Sequence, residues 1–329
     1  MKRDDVWEGM DSTMSTRIRH LAEYFVFRTF VCVIESLPTR TSVSCARALA
    51  FVVHQILPRR LTRYQVAREN LQRAFGDEMS DQRADKIIHD MWVHLFRLVV
   101  EVIQLPRKMR LYNCRDILRF PNRNEVVRAM CAGRPVMTVC GHFGNWEVAN
   151  CATGWFGFPM GVVARDLDNP LLNDWFEKLR RHTGHRMISK NGGSRQMVEY
   201  LENRGCLALL GDQDAGSRGL FVDFFGVPAS TFKSIALLAL QHRAVICVAA
   251  ARRLPDDFEN SRWVNFELGC EEIIDPLELN CDDEVREITE RFTKALERMV
   301  RQAPEQYFWV HRRWKTVPRQ RKKSAAKAA

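Results

Sequence analysis

Apolar positions in the first third of the chain recur at helical spacing, and no stretch there alternates as a half-buried strand does. Ser80 stands before a long amphipathic run and is typical of a helix N-cap, with Asp81 in the first turn. That helix is predicted to continue through Gln104. The pattern therefore predicts an all-helical region over residues 18–105.

The segment Glu23–Leu37 is apolar around almost its whole circumference. Arg28 and Glu35 interrupt it, so it falls short of the roughly 18 uncharged residues of a clean membrane span. Apolar helices flanked by arginine are typical of segments that lie in the bilayer interface. We expect residues 18–105 to associate with a membrane in this way, after a polar, disordered segment at 1–17. An ordinary core helix and a tilted span are the alternatives.

Beyond residue 105, short apolar runs alternate with amphipathic segments. The apolar runs predict buried strands, at 135–140, 161–164, 206–210 and 244–250. The amphipathic segments predict helices, at 147–155, 170–183, 194–203, 231–242 and 282–301. Strands that alternate with helices of this length predict one α/β domain over 106–318, with a central sheet flanked by helices.

Composition narrows the classes of function. The formal net charge is +10, but no acidic residue follows Glu305, and the chain closes with a basic tail predicted to be disordered at 319–329. Such a tail suits an anionic membrane surface, with nucleic acid as the alternative. Ten widely spaced cysteines without a Cys-x-x-Cys pair indicate a reducing compartment and argue against a zinc site.

One strand end carries residues suited to acid–base chemistry. The strand predicted at 135–140 runs into Gly141-His142-Phe143-Gly144-Asn145-Trp146-Glu147. In open α/β sheets, ligands bind at this carboxyl edge of the strands. His142 is predicted to act as a general base, with Glu147, about one helical turn later, as the carboxylate that orients its imidazole.

Two further strand ends carry charged residues. Asp212 and Asp214 follow one predicted strand, and Arg165 follows another. We expect them to converge with His142 at the same edge of the sheet, where the carboxylates pair with Arg165. Alternatively, an Asp-x-Asp pair binds a divalent metal and a sugar nucleotide, which would make the protein a glycosyltransferase. A merely turn-forming role is the simplest interpretation of the two carboxylates.

Several strings of the chain resemble one family. They are Gly141–Glu147, Gly211–Gly216, Phe221–Thr231, Pro304–Thr316 and, more weakly, Arg68-Glu69-Asn70-Leu71. Together they are similar to the late acyltransferases of lipid A biosynthesis, within the wider glycerolipid acyltransferase group. The likeness covers about residues 20 to 318. It implies a mixed central sheet of the glycerolipid acyltransferase type.

Carried over by position, the resemblance implies that His142 is the general base and Glu147 its partner. The backbone amides around Gly144, the side chain of Asn145 and Arg165 become candidates to stabilise an oxyanion. Arg165 alternatively binds a phosphate group of the acceptor, because guanidinium suits bidentate phosphate recognition.

The resemblance also implies that Asp212 and Asp214 organise the site through Arg165 or Lys190, with no metal and no cofactor. The implied reaction moves a fatty acyl chain from acyl carrier protein, or coenzyme A, to a hydroxyl of a lipid A precursor. The implied location is the cytoplasmic face of a bacterial inner membrane. The same chemistry on a phosphatidylinositol mannoside, an ornithine lipid or a lysophospholipid is the nearest alternative, and a non-enzymatic membrane-binding protein is a more distant one.

Aromatic and basic side chains alternate in the last part of the domain. Tyr307, Phe308, Trp309 and Trp314 lie among arginines. Such a mixture can stack on nucleic-acid bases or lie at a bilayer interface. With apolar N-terminal helices in the same chain, we expect these rings at the membrane and no nucleic-acid partner.

Overall fold

A computed structural model of the protein describes residues 14–318. Most of the disordered segment expected at 1–17, and the whole basic tail expected at 319–329, lie outside the described residues. Residues 14–17 belong to the first helix.

The N-terminal region packs its helices around one long helix. They are α1 (Met14–Ser36), α2 (Thr39–Phe51) with a π-helical turn after it (Val52–Ile56), α3 (Tyr64–Phe75) and α4 (Asp81–Lys108). The Ser80 side chain caps α4 by accepting a hydrogen bond from the Arg83 amide at 3.2 Å. The helix runs past Gln104, the predicted end, to Lys108.

One face of α1 is apolar and exposed. Met14, Ile18, Leu21 and Phe25 recur there at helical spacing, and 73% of the Phe25 surface is accessible. The opposite face packs Val31 and Ile34 against α4. None of the described helices is long and apolar enough to cross a bilayer.

A seven-stranded sheet forms the centre of the α/β domain. Its strands are β1 (Leu118–Arg119), β2 (Val136–Cys140), β3 (Met160–Ala164), β4 (Arg186–Ser189), β5 (Cys206–Leu210), β8 (Val245–Arg253) and β9 (Phe266–Ile274). The spatial order is β1-β9-β8-β2-β5-β3-β4. Neighbouring strands are parallel except for β8 and β9, which are antiparallel. The expected mixed sheet is therefore confirmed.

Helices cover the sheet, and a separate hairpin adds two more strands. The helices are α5 (Cys114–Ile117), α6 (Arg123–Met130), α7 (Trp146–Trp155), α8 (Pro170–Arg181), α9 (Ser194–Glu202), α10 (Ser234–His242) and α11 (Glu284–Gln302). The hairpin pairs β6 (Leu220–Phe224) with β7 (Val227–Thr231). The four predicted strands correspond to β2, β3, β5 and β8.

Strand β9 was missed although the sequence carries its signal. From Phe266 to Cys270 apolar and other residues alternate, and the burial of the side chains alternates in step. This period of two is typical of a strand with one covered face. Strands β1 and β4 have two and four residues, too short for a periodic pattern to be recognised.

The segment that follows α11 returns to the end of β2 and is buried there. Tyr307, Trp309 and Trp314 are 3%, 1% and 5% exposed. The expectation that these rings lie at a membrane was therefore wrong: they pack in the core against the hairpin, with Trp314 5.7 Å from the Phe224 ring. The side-chain amide of Asn70, on α3, donates to the Trp309 and His311 carbonyls at 2.6 Å each.

Candidate active site

The turn between β2 and α7 is held by backbone hydrogen bonds. The Gly144 amide donates to the Gln306 carbonyl at 3.0 Å, and the Asn145 amide donates to the Ala251 carbonyl at 2.8 Å. Gly144 has a φ of +61°, and a Cβ at this position would lie 2.2 Å from the Ala251 carbonyl oxygen. Only glycine satisfies both requirements, since other residues rarely adopt this conformation and none lacks a Cβ.

His142 is paired with Asp212. Its Nδ1 lies 2.8 Å from Asp212 Oδ1, and its backbone N–H donates to Oδ2 of the same carboxylate at 2.8 Å. The two residues meet because β2 and β5 are adjacent and parallel, which places their carboxyl ends side by side. Gly141 permits this approach, because a Cβ there would lie only 3.1 Å from the Asp212 Cβ.

Glu147 forms a different pair. Arg180 of α8 donates to its two carboxylate oxygens at 3.0 Å and 2.6 Å. Both side chains are largely buried, at 17% exposure for Arg180 and 6% for Glu147. The expected hydrogen bond between Glu147 and His142 was therefore wrong: α7 directs the carboxylate toward α8, and the partner of His142 comes from β5.

The electrostatics of the pair favour a protonated imidazole beside a carboxylate. Burial opposes the charge of His142, but the negative charge and hydrogen bond of Asp212 leave the pKa of His142 above 6.5. Burial would raise the pKa of Asp212, yet the charge of His142 and the hydrogen bonds from it leave that pKa below its ordinary value. Burial, together with the charge of Asp212, raises the pKa of Tyr307 well above 10, so this phenol stays neutral.

The second imidazole nitrogen is open. Among residues 14–318, Nε2 of His142 has no hydrogen-bond partner, and 20% of the side chain is exposed. The Trp146 ring stands edge-on 5.3 Å away, and the Phe308 ring lies 6.0 Å away on a tilted plane. Because Nδ1 faces a carboxylate, it carries the proton in the neutral ring, which leaves Nε2 with a lone pair to accept one.

Asn145 is part of a buried network below the turn. Its side-chain oxygen caps α7 by accepting from the Val148 amide at 3.2 Å, and its nitrogen donates to Glu101 at 2.9 Å. Arg253 donates to both Glu101 oxygens at 2.6 and 2.8 Å. The Gly144 amide and one N–H of the Asn145 side chain, both expected as oxyanion donors, are therefore already engaged within the protein.

Asp214 and Arg165 do not join the His142–Asp212 pair. Asp214 accepts from the Thr316 hydroxyl at 2.9 Å, so the two carboxylates serve different partners. Arg165 is 73% exposed and lies 3.4 Å from Asp168, so its expected pairing with Asp212 or Asp214 was wrong. No group of three metal-binding side chains occurs in the described part of the chain.

Lys190 remains close to the base. Its positive charge opposes protonation of His142 and so lowers the pKa of that imidazole, against the larger effect of Asp212. Its ammonium lies 5.4 Å from the centre of the Phe232 ring. Lys190 therefore contributes positive charge in the surroundings of His142.

The thiol near the site is inert. Burial, with the negative charge of Glu147 beside it, raises the pKa of Cys151 to about 12. A nucleophilic cysteine acts as its thiolate. Cys151 is therefore a small buried side chain of α7, as its apolar neighbours in the sequence suggest.

Two apolar cavities lie against Trp146, the ring that stands beside His142. One, here called the inner cavity, lies between α7 and the strands β2, β3 and β5 and has a volume of about 90 Å³. The other, here called the outer groove, lies between α1, α4 and α8 and has a volume of about 300 Å³. Trp146 lines both. The arrangement thus combines a base, an open proton-accepting nitrogen and space for hydrocarbon chains.

Sequence reasoning missed the partners that complete this site. In the sequence alone, little distinguishes three of these partners from other charged residues: Arg180, Glu101 and Arg253. The available signal was a charge inside an apolar pattern: Glu101 stands among Val99, Val100, Val102 and Ile103, where a buried carboxylate needs a cationic partner. Which cationic side chain pairs with Glu101 depends on the fold.

Comparison with known proteins identifies the family. The sequence model of the bacterial lipid A biosynthesis acyltransferase family matches residues 12–316. The lipid A biosynthesis palmitoleoyltransferase of Escherichia coli K12 is 26% identical over 261 residues, which cover 78% of this chain and 80% of that protein. The lipid A biosynthesis lauroyltransferase of the same strain is 29% identical over 188 residues, 56% of this chain and 58% of that protein. A phosphatidylinositol mannoside acyltransferase of Mycolicibacterium smegmatis is 27% identical over 185 residues, 54% and 60% of the two chains. The chain therefore belongs to the bacterial lipid A biosynthesis acyltransferase family and is an O-acyltransferase.

Proposed function

We propose that this enzyme transfers a fatty acyl chain from acyl carrier protein to a hydroxyl of a lipid A precursor. The observation that carries the proposal is the His142–Asp212 pair with its open Nε2. Two apolar cavities are lined by Trp146, which stands next to the imidazole. The pair suits removal of a hydroxyl proton, and the cavities suit hydrocarbon chains. The family and the two Escherichia coli relatives support the lipid A precursor as acceptor.

In the proposed reaction, Nε2 of His142 takes the proton of the acceptor hydroxyl as its oxygen attacks the carbonyl carbon of the acyl thioester. Asp212 stabilises the imidazolium that forms and holds Nδ1–H in place. The tetrahedral intermediate collapses, the carbon–sulfur bond breaks, and the departing thiolate takes the proton from Nε2. The products are an ester and the free thiol of the carrier.

We assign the positive charge near the intermediate to Lys190. The donors at Gly144 and Asn145 are engaged elsewhere, whereas the ammonium of Lys190 acts on His142 through space. A preformed positive charge beside a developing oxyanion lowers the barrier without reorganisation. Arg165, exposed at the carboxyl end of β3, is the proposed contact for a phosphate of the acceptor.

The exposed apolar face of α1 is the proposed membrane contact. Phe25 and Val26 are 73% and 67% exposed, and Arg28 is exposed beside them. An apolar face bordered by arginine binds an anionic bilayer through burial of the side chains and through charge. This supports work on a lipid acceptor at a membrane surface, which we propose to be the cytoplasmic face of a bacterial inner membrane.

Mass spectrometry of lipids from cells with and without the gene tests the acceptor. We expect one ester-linked acyl chain of lipid A to disappear without the gene, and to return with the wild-type gene but not with His142→Ala. An unchanged lipid A, with a missing chain on a phosphatidylinositol mannoside or another lipid, would show the same chemistry on a different acceptor. Purified enzyme supplied with lauroyl carrier protein or lauroyl coenzyme A then identifies the donor.

Sedimentation with vesicles tests the membrane contact. We expect binding to vesicles that contain phosphatidylglycerol, and a marked loss in the Phe25→Asp/Val26→Asp variant. Leu277→Asp is the matched control, because Leu277 is 59% exposed in a short 3-10 turn outside the helical region. Equal binding by both variants would reject α1 as the contact.

A further inference from the structure

The two cavities beside the base meet at a single partition. Trp146, Glu147, Ala164 and Arg180 line both of them. The Glu147–Arg180 ion pair is bidentate and largely buried. Trp146 also stands 5.3 Å from the His142 ring, so this shared wall brings both cavities close to the proposed base.

The inner cavity is a narrow space under α7. Ala149 and Thr153 of α7 line it, as does Met160 of β3, which is 1% exposed. One water-sized group needs about 10–15 Å³ of such space. A volume of about 90 Å³ therefore accepts a slender chain of methylene groups and excludes a sugar or a branched headgroup.

The outer groove is wider and opens at the surface. Val99 and Leu167, on its rim, are 42% and 43% exposed. Phe27 of α1 forms one wall, packed 5.0 Å edge-on against the Trp175 ring. The residue before it in the chain, Val26, belongs to the exposed apolar face of α1. The groove thus has one wall on α1, the helix that carries the proposed membrane contact.

Charge at the rim also fits a phosphorylated lipid. Arg165 lines the groove and is 73% exposed, so its guanidinium reaches solvent at the mouth. A lipid that carries phosphate on its headgroup would place the phosphate beside Arg165 when one of its chains occupies the groove.

Resting on the proposed function, we propose that the outer groove binds an acyl chain already present on the lipid acceptor, and that the inner cavity holds the chain being transferred. The acceptor resides in the bilayer and reaches the base from the side of α1. The donor arrives on a soluble carrier and needs no membrane-facing entry. The Glu147–Arg180 pair keeps the two chains apart. An alkyl chain that passed between these two side chains would break the ion pair and leave both charges buried without a partner.

Photo-crosslinking to the inactive His142→Ala protein tests this assignment directly. The first probe is a phosphorylated, acylated glucosamine disaccharide with a diazirine on one chain; the second is acyl carrier protein charged with a diazirine fatty acid. We expect the first to label peptides of α4 and α8 around 98–103 and 173–176. We expect the second to label α7 and β3 around 149–153 and 160–164. Exchange of the two patterns, or equal labelling of both sets by either probe, overturns the proposal.

Labelling requires no turnover, so it separates this proposal from the proposed function. If the disaccharide probe labels the outer groove but the wild-type enzyme does not acylate the disaccharide, the proposed function alone is rejected. A protein that acylates the precursor but shows acceptor labelling only around the inner cavity would reject the division of chains alone.

A filled groove provides the kinetic test. Val99→Trp places a large ring at an exposed rim position, so the fold should tolerate it. We expect KM for the lipid acceptor to rise about tenfold or more, with an unchanged preference among donor chain lengths. Val127→Trp is the control, since Val127 is 37% exposed and lines a different cavity. A changed donor preference with an unchanged acceptor KM in Val99→Trp contradicts the assignment.

Discussion

Replacement of Asp212 by asparagine is the sharpest test of the site. The carboxylate accepts two hydrogen bonds from one residue, from the backbone N–H and from Nδ1–H of His142, both at 2.8 Å. An asparagine side chain offers only one acceptor oxygen in the same space. If its oxygen faces the backbone N–H, its NH₂ faces Nδ1, which must then give up its proton. The proton moves to Nε2 and blocks the atom that acts as the base.

The magnitude follows from this tautomer change. General base catalysis contributes roughly 10²–10⁴ in rate, and in the Ser-His-Asp triad the corresponding Asp→Asn exchange lowers kcat about 10⁴-fold. We expect Asp212→Asn to lower kcat roughly 10²–10⁴-fold, or about 2.7–5.4 kcal/mol of transition-state stabilisation. The fold should survive, because the two side chains have nearly the same shape and one hydrogen bond is kept.

The pH profile adds an independent signature. Asp212 keeps the pKa of His142 above 6.5, so wild-type activity should fall as pH decreases through a midpoint above that value. Asparagine removes the negative charge, and burial and Lys190 then dominate and lower the pKa of His142. The acid limb of the remaining activity should therefore move to lower pH.

The assay is acyl transfer from carrier protein to the lipid acceptor at saturating substrate, between about pH 5 and 9 to bracket the ordinary imidazole pKa. Asp214→Asn is the matched control: its carboxylate bonds Thr316 and does not contact His142. Circular dichroism verifies that each variant is folded. Asp212→Asn with nearly wild-type kcat and an unmoved acid limb, or an equal loss in Asp214→Asn, would refute the assigned pair.

Three further expectations concern the surroundings of the base. Gly144→Ala should lose at least about 1–3 kcal/mol of unfolding free energy because of its backbone conformation. The contact of the new Cβ with the Ala251 carbonyl should add to this loss. Gly133 has a similar φ of +70° but open space around it, so comparison with Gly133→Ala in denaturant titrations isolates the steric part. Glu147→Ala should cost about 3–5 kcal/mol by leaving Arg180 buried and unpaired, and Glu147→Leu/Arg180→Met should recover most of that stability. Equal stability of the single and double variants would contradict this structural role. Cys151→Ala should retain wild-type kcat within about threefold, because a thiol whose pKa is raised to about 12 does not act as a nucleophile; loss of activity with an intact fold would reinstate it.

Much of the architecture was readable from local patterns. The apolar runs that became β2, β3, β5 and β8 were visible because a strand covered on both faces is continuously apolar. Position at the carboxyl ends of these strands also indicated His142 and Asp212 as neighbours at one edge, which is where the structure places both. Strand β9 also carries its signal in the sequence, because apolar and other residues alternate from Phe266 to Cys270.

Helical spacing suggested the wrong partner for the base. Glu147 is only five residues after His142 in the chain, but nearness along the chain does not bring their side chains together. The turn between them, with its positive φ at Gly144, rotates α7 so that Glu147 points to Arg180. Likewise, the aromatic residues after α11 have a composition that suits both a bilayer and a core, and only packing distinguishes the two.

The sequence by itself determined the class of fold and the strand ends that carry chemistry, and it singled out His142 as the predicted general base, because these depend on periodicity and on which side chains can accept a proton. Only the tertiary structure decided which carboxylate serves that base, which charges are buried as pairs, and that two cavities flank one ion pair. Those features depend on strand order and helix rotation, which bring together residues as far apart in the chain as His142 and Asp212, or Glu101 and Arg253.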